Sequence, residues 1–327
     1  MSIDNIWYKL RALNDNGILD SLLLLGGKLI WVDYLNGDDA NYGTKDAPIK
    51  TLDGSSGALA RVTAGKNDIV VLKNSGGTLA QSVVRLSAAF DWNKACTHII
   101  AQTPVGSPWS PRASIRPNLS DTAFANFFTV SARGCLFHNI GWVTEFTAGV
   151  AASIPLTVSA PYNRFSRCQI AGMIDATSAA SATSRCVKLT AGENLFENCV
   201  IGVDTIARSV ANASVEFASG AARNHFKNCI FPIYATATSP LLVKVAAAAG
   251  ADRFQLFEDC IVTNFGASSL KLCTLAANIG GKIIFTNPKL MGTFGGFGTD
   301  ATSIAQILID GVASGTTVTG IGYAPNA

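Results

Sequence analysis

The sequence predicts an all-β protein, a right-handed single-stranded parallel β-helix with a short N-terminal α-helix. Three observations carry that expectation. A Phe-centred motif recurs six times at near-constant spacing, an apolar-polar-apolar triplet recurs in step with it, and the repeat is too short to hold the helix a βαβ unit needs.

The Phe motifs begin at Phe137, Phe165, Phe196, Phe226, Phe257 and Phe285, with steps of 28, 31, 30, 31 and 28 residues. Three residues on stand Ile140, Cys168, Cys199, Cys229, Cys260 and Pro288. The triplets are Phe128-Thr129-Val130, Leu156-Thr157-Val158, Val187-Lys188-Leu189, Val215-Glu216-Phe217, Val243-Lys244-Val245 and Leu270-Lys271-Leu272. Such alternation marks a short strand with one buried face. Stacked coils of such strands would turn Phe, Cys, and then Ile201, Phe231 or Val262, into continuous inward rows.

Inward positions three residues apart cannot share one straight strand, so a bend must fall between Phe and Cys. The residues there are Asn139, Arg167, Asn198, Asn228, Asp259 and Asn287, and Asn and Asp tolerate the left-handed backbone of a one-residue corner. Asn163, Asn194 and Asn224, two before the Phe, predict a second corner with amides bonded from coil to coil. The outward residues Lys188, Glu216, Lys244 and Lys271, and Glu197, Lys227 and Glu258, read as cross-strand charge pairing.

Three segments follow: residues 1–30, a helical cap or docking segment; 31–291, the β-helix; and 292–327, a Gly- and Thr-rich β segment. In the first, Ile3, Ile6, Trp7 and Leu10 lie at helical spacing behind a possible N-cap, Ser2, and form either a cap on the open end or a docking face. In the last, Gly292 to Gly298 reads as a flexible break before a strand from Ile304 to Ile309.

Composition excludes some functions. With 14% charged residues and 25 Lys and Arg against 22 Asp and Glu, the net charge of +3 provides no strong field for nucleic acid or an anionic membrane. The start lacks the basic and apolar regions of a secretion signal, so synthesis and residence in the cytoplasm are expected until assembly. The cysteines at 96, 135, 168, 186, 199, 229, 260 and 273 form no CxxC or CxxH pair and read as reduced core residues. No cofactor is expected.

Candidate catalytic groups are sparse. Glu197 and Glu258 would sit two coils apart, about 9.6 Å by strand spacing, close to the separation an inverting glycosidase uses, but Lys227 lies between them. His98, His138 and His225 lack metal or triad spacing. Asp38, Asp39 and Asn41 form a weak calcium candidate for which an Asx turn is the competing reading. Trp92, Trp109 and Trp142 are the rings a sugar-binding groove would expose.

The stretch from Trp31 to Thr51, with its Asn36-Gly37-Asp38-Asp39 turn and Pro48-Ile49-Lys50-Thr51 step, resembles the opening of pectin-lyase-like β-helix proteins, and Gly65 to Leu72 is similar to their next strand. The resemblance spans about residues 30–290 and implies the fold; its members include lyases, hydrolases, phage tailspikes and structural virion proteins. Without the carboxylate cluster and basic residue of the lyases, the profile resembles a bacteriophage virion protein. The expectation is therefore a structural, non-enzymatic role as a capsid decoration or cement protein or a head or tail fibre. It would be a homotrimer on the virion, docked through residues 1–30 to partners such as the major capsid protein. The alternative is a tailspike or lyase degrading a host polysaccharide. A secreted carbohydrate-binding module would need a signal that the start does not carry.

Overall fold

The structure is a computed structural model that describes residues 27–74, 83–102, 113–118, 126–145, 151–277, 279–309 and 312–313. The leading helix with Ile3, Ile6, Trp7 and Leu10 falls outside the described residues, as does Trp109.

From Ile69 to Ile309 the chain visits three parallel sheets in strict rotation, which is the expected right-handed β-helix; Leu29–Val32 precedes the rotation in the first sheet and Val312–Ala313 closes that sheet antiparallel. Sheet I includes Leu29–Val32, Ile69–Lys73, His98–Gln102, Leu136–His138, Arg164–Ser166, Leu195–Glu197, Ala222–Lys227, Asp252–Glu258, Gly281–Thr286 and Ile307–Ile309. Sheet II runs from Val83–Leu86 to Lys289–Gly292 and sheet III from Phe90–Trp92 to Phe294–Gly298.

The Phe row is in register from coil to coil. The rings of Phe137, Phe165, Phe196, Phe226, Phe257 and Phe285 stack with successive centroid separations of 5.0, 4.5, 4.7, 4.8 and 5.0 Å. That matches the strand spacing of about 4.8 Å, so one residue choice per coil fills the axis. All six rings are buried, each contributing about 1.5–3 kcal/mol of apolar transfer.

Beside this row the thiols of Cys168, Cys199, Cys229 and Cys260 donate to the carbonyls of Phe137, Phe165, Phe196 and Phe226 at 3.3–3.5 Å. Cysteine is thus a small apolar filler that also satisfies a carbonyl at the bend. Every cysteine is free, and Cys96 alone of the eight is not buried.

Both corners form as the residues require. Asn139, Arg167, Asn198, Asn228, Asp259 and Asn287 have φ of 58, 55, 54, 51, 52 and 48°. At the other corner Asn163, Asn194 and Asn224 are buried, and each accepts from the main chain of the coil before: Cys135, Asn163 and Asn194 donate at 2.9, 2.9 and 3.0 Å. Gln255 continues the ladder, accepting from Asn224 N at 3.2 Å.

Two local expectations are corrected. The sixth triplet is Cys273-Thr274-Leu275, in register with Val243-Lys244-Val245, whereas Lys271 pairs with Gly296. Leu270-Lys271-Leu272 shows the same alternation, and pattern alone cannot separate two registers three residues apart. Nor is Gly292 to Gly298 a break: Phe294–Gly298 is a strand of sheet III. Its glycines serve close packing, since a Cβ on Gly292, at φ 110°, would meet Asn264 O at 2.0 Å. Beyond it, Ile304 ends a short helix, Ala301–Ile304, capped by Asp300, and the strand starts only at Ile307.

Candidate functional site

Outward positions on sheet I build a polar surface beside the Phe row. Register places His138, Ser166, Glu197, Lys227, Glu258 and Thr286 in one outward row, one residue per coil. The row beside it holds Leu136, Arg164, Leu195, His225, Leu256 and Ile284. Alternation along each strand puts both rows opposite the Phe stack, so the core fixes the spacing of the surface groups.

Both carboxylates suggested by the sequence lie here, and each has a cation. Arg164 bonds Glu197, while Lys227 Nζ lies 3.3 Å from Glu258 Oε1. His225 Nε2 lies 2.7 Å from Glu258 Oε2 without the alignment of a hydrogen bond. These side chains are 15–38% exposed, with His225 Nε2 and Arg164 Nε themselves buried. Lys227 stands in register between the two glutamates, as the repeat requires.

An ion-paired setting differs from the apolar pocket that makes a carboxyl a proton donor. The chemistry the row offers is recognition: alternating acceptors and donors at a fixed period on a rigid face. His138, at its end, is held below the usual histidine range by burial, with the Arg164 charge acting in the same direction. A neutral imidazole there offers one donor and one acceptor.

The other candidate residues are structural in their contacts. His98 is buried, its Nδ1 accepts from Leu136 N at 3.0 Å, and burial lowers its pKa to about 4. Trp92 and Trp142 correct the expectation of an exposed aromatic groove: both are 0% exposed and pack on Phe137. Their parity in the coil points inward, which composition could not reveal.

The Asp38 loop uses its polar groups to close turns. Asp39 Oδ1 accepts from Lys50 N and Thr51 N, both at 2.9 Å, Asp38 Oδ1 accepts from Ala40 N, and Asn41 Nδ2 donates to Pro48 O. Hydrogen bonds from Thr51 and Lys50, with the Arg61 charge, outweigh burial and hold the Asp39 carboxyl below its usual range. Among the described residues no group of three His, Cys, Asp or Glu converges as metal ligands, and no helix is long and apolar enough to cross a membrane.

Sequence reasoning also missed a charged cluster on sheet II. Arg85 and Arg116 are in register on adjacent strands, and both approach Glu145. The signal was faint, because the strands lie in a part of the chain without the Phe motif.

The sequence matches no family model, and no curated protein matches it. Among solved structures it is similar to the pectin methylesterase PemA from Erwinia chrysanthemi, at 15% identity and a TM-score of 0.54 over 82% of this chain and 80% of that one. A pectin methylesterase in complex with a hexasaccharide matches at 15% identity, a TM-score of 0.51 and the same coverage. This corrects the expectation of a non-enzymatic chain: both matches are enzymes, so the fold gives no ground for setting catalysis aside. The resemblance to virion proteins rests on the sequence alone, and what the solved structures establish is a shared pectin-lyase-like parallel β-helix.

Proposed function

We propose that the protein acts on a polysaccharide, which it engages along the outer face of sheet I. The observation that carries this reading is the row His138, Glu197, Lys227 and Glu258, which supplies one polar group per coil apart from the buried Ser166. A polymer of hydroxyl-rich units is itself periodic, and a rigid ladder of donors and acceptors binds it without ordering loops. The hexasaccharide complex of the similar pectin methylesterase supports the reading by analogy of fold. In this proposal the chain works as a tailspike- or lyase-like β-helix on a host surface glycan, carried on a virion as a homotrimer.

The test is a panel of bacterial and plant polysaccharides, scored for retention on immobilised protein and for release of reducing sugar, unsaturated sugar or ester groups. At least one polymer should be bound or modified by the full chain, and binding should fall about tenfold or more in Glu197→Gln and Glu258→Gln. A panel in which nothing is bound or changed sinks the proposal; so does unchanged binding in both variants.

One observation favours a second reading, attachment to a protein partner such as a major capsid protein. Phe265 is 63% and Met291 49% exposed, and Met291 is in register with Thr263, two residues before Phe265. Exposed apolar groups this close suit an assembly contact. Loss of particle binding in Phe265→Ser/Met291→Ser, with glycan binding intact, would support it.

A further inference from the structure

Arg85 and Arg116 stand side by side on the outer face of sheet II, in register on neighbouring strands about 4.8 Å apart. Arg116 Nη1 donates to Glu145 Oε2 at 2.6 Å, and Arg85 Nη2 lies 3.6 Å from the same oxygen. Arg85 Nη1 is anchored on Pro117 O at 2.8 Å and Arg116 Nε on Ser114 Oγ at 3.1 Å. Two guanidinium groups therefore share one carboxylate oxygen.

No other carboxylate answers the second charge among the described residues. The outward row continues from Arg116 to Val143 and Ala171, both apolar. The two arginine side chains are only 16% and 11% exposed, whereas Glu145 is 40% exposed. Burial lowers the Arg85 pKa, and Arg116 pushes it in the same direction while Glu145 and Tyr34 oppose. A fixed, largely buried pair of cations with a partly exposed acid beside it has the electrostatics of an anion site.

We infer that Arg85 and Arg116 form a binding site for a phosphate or sulfate oxyanion, with Glu145 occupying the site until the ligand displaces it. The oxyanion is either free or an ester group on a polymer. Guanidinium forks match a tetrahedral oxyanion bidentately, and Ser114 Oγ, beside Arg116, adds a hydroxyl. The site lies on sheet II, so it stands independently of the proposal for sheet I.

Calorimetric titration at low ionic strength with inorganic phosphate, inorganic sulfate, a polyol phosphate polymer and a neutral polymer tests this. Phosphate or sulfate should bind the full chain; Glu145→Gln should bind about tenfold tighter, and Arg116→Gln should abolish binding. Polymer binding much tighter than that of the free ion assigns the site to an ester-bearing chain; equal affinity per phosphate assigns it to the free ion. No binding to the full chain or to Glu145→Gln, with Glu145→Gln still folded by circular dichroism, overturns the inference and leaves a closed structural ion triad. The sheet I variants Glu197→Gln and Glu258→Gln should leave phosphate affinity unchanged, which separates this outcome from failure of the polysaccharide reading.

Discussion

The side-chain oxygen of Asn224 accepts two hydrogen bonds from Asn194, from its main-chain N at 3.0 Å and from its Nδ2 at 3.1 Å. Asn194 Oδ1 in turn accepts from Asn163 N at 2.9 Å, so each amide satisfies a corner of the coil before it. Asn194→Ala should therefore leave Asn163 N and the Gly192 carbonyl without their partner, while Ala191 O keeps the bond from Asn224 Nδ2 at 3.1 Å. The expected cost is about 3 kcal/mol, read as a lowered denaturation midpoint. A variant within about 0.5 kcal/mol of the parent would mean that water replaces the amide.

At the one-residue corner, Asn228 holds φ of 51°. Asn228→Val places a β-branched side chain in the left-handed region and should cost about 2 kcal/mol, while Asn228→Gly should stay within about 0.5 kcal/mol of the parent. Calorimetric melting of the pair checks the ordering. Equal losses would show that the Asn side chain, and not its backbone tolerance, is what the corner needs.

Phe196 lies between Phe165 and Phe226, at 4.5 and 4.7 Å. Phe196→Ala opens a cavity in the middle of the stack, and coils above and below cannot close on it without breaking register. A loss of about 4 kcal/mol is expected in urea unfolding. A much smaller loss would indicate that the coil collapses around the gap.

His98 gives the fold an acid-sensitive point. Its folded pKa of about 4 lies below the ordinary histidine value of 6.5, because burial disfavours the imidazolium and outweighs the nearby Asp68. The unfolded chain then binds the proton more readily, so stability is complete above the unfolded value and falls as pH drops from about 6.5 towards 4. The loss approaches roughly 3 kcal/mol. His98→Asn, whose side-chain oxygen can accept from Leu136 N, should flatten that part of the profile. Melting temperatures from pH 4 to 8 in both proteins test this, and an unchanged slope in the variant would assign it to other groups.

The Phe, Cys and Asn rows were legible in the linear chain because a β-helix repeats one environment about every 30 residues, and each environment accepts few side chains. Stacked rings, a small apolar thiol and a left-handed corner each impose a residue type, so the type announces the position. The triplets Val187-Lys188-Leu189 and Val215-Glu216-Phe217 fell into register for the same reason. Glu197, Lys227 and Glu258 are aligned by sequence alone because each is tied to the Phe beside it.

Where the environment is permissive, folding in three dimensions made the choice. Leu270-Lys271-Leu272 and Cys273-Thr274-Leu275 alternate equally well, and only sheet pairing selected the second. Trp92 and Trp142 are rings a sugar-binding groove would expose, and coil parity turns both inward. The glycines from 292 to 298 permit either a loop or close packing, and the nearness of Asn264 O to Gly292 settled it. Arg85 and Arg116 are 31 residues apart with nothing local to link them; they became one site because strand stacking converts a sequence period into a distance of about 4.8 Å.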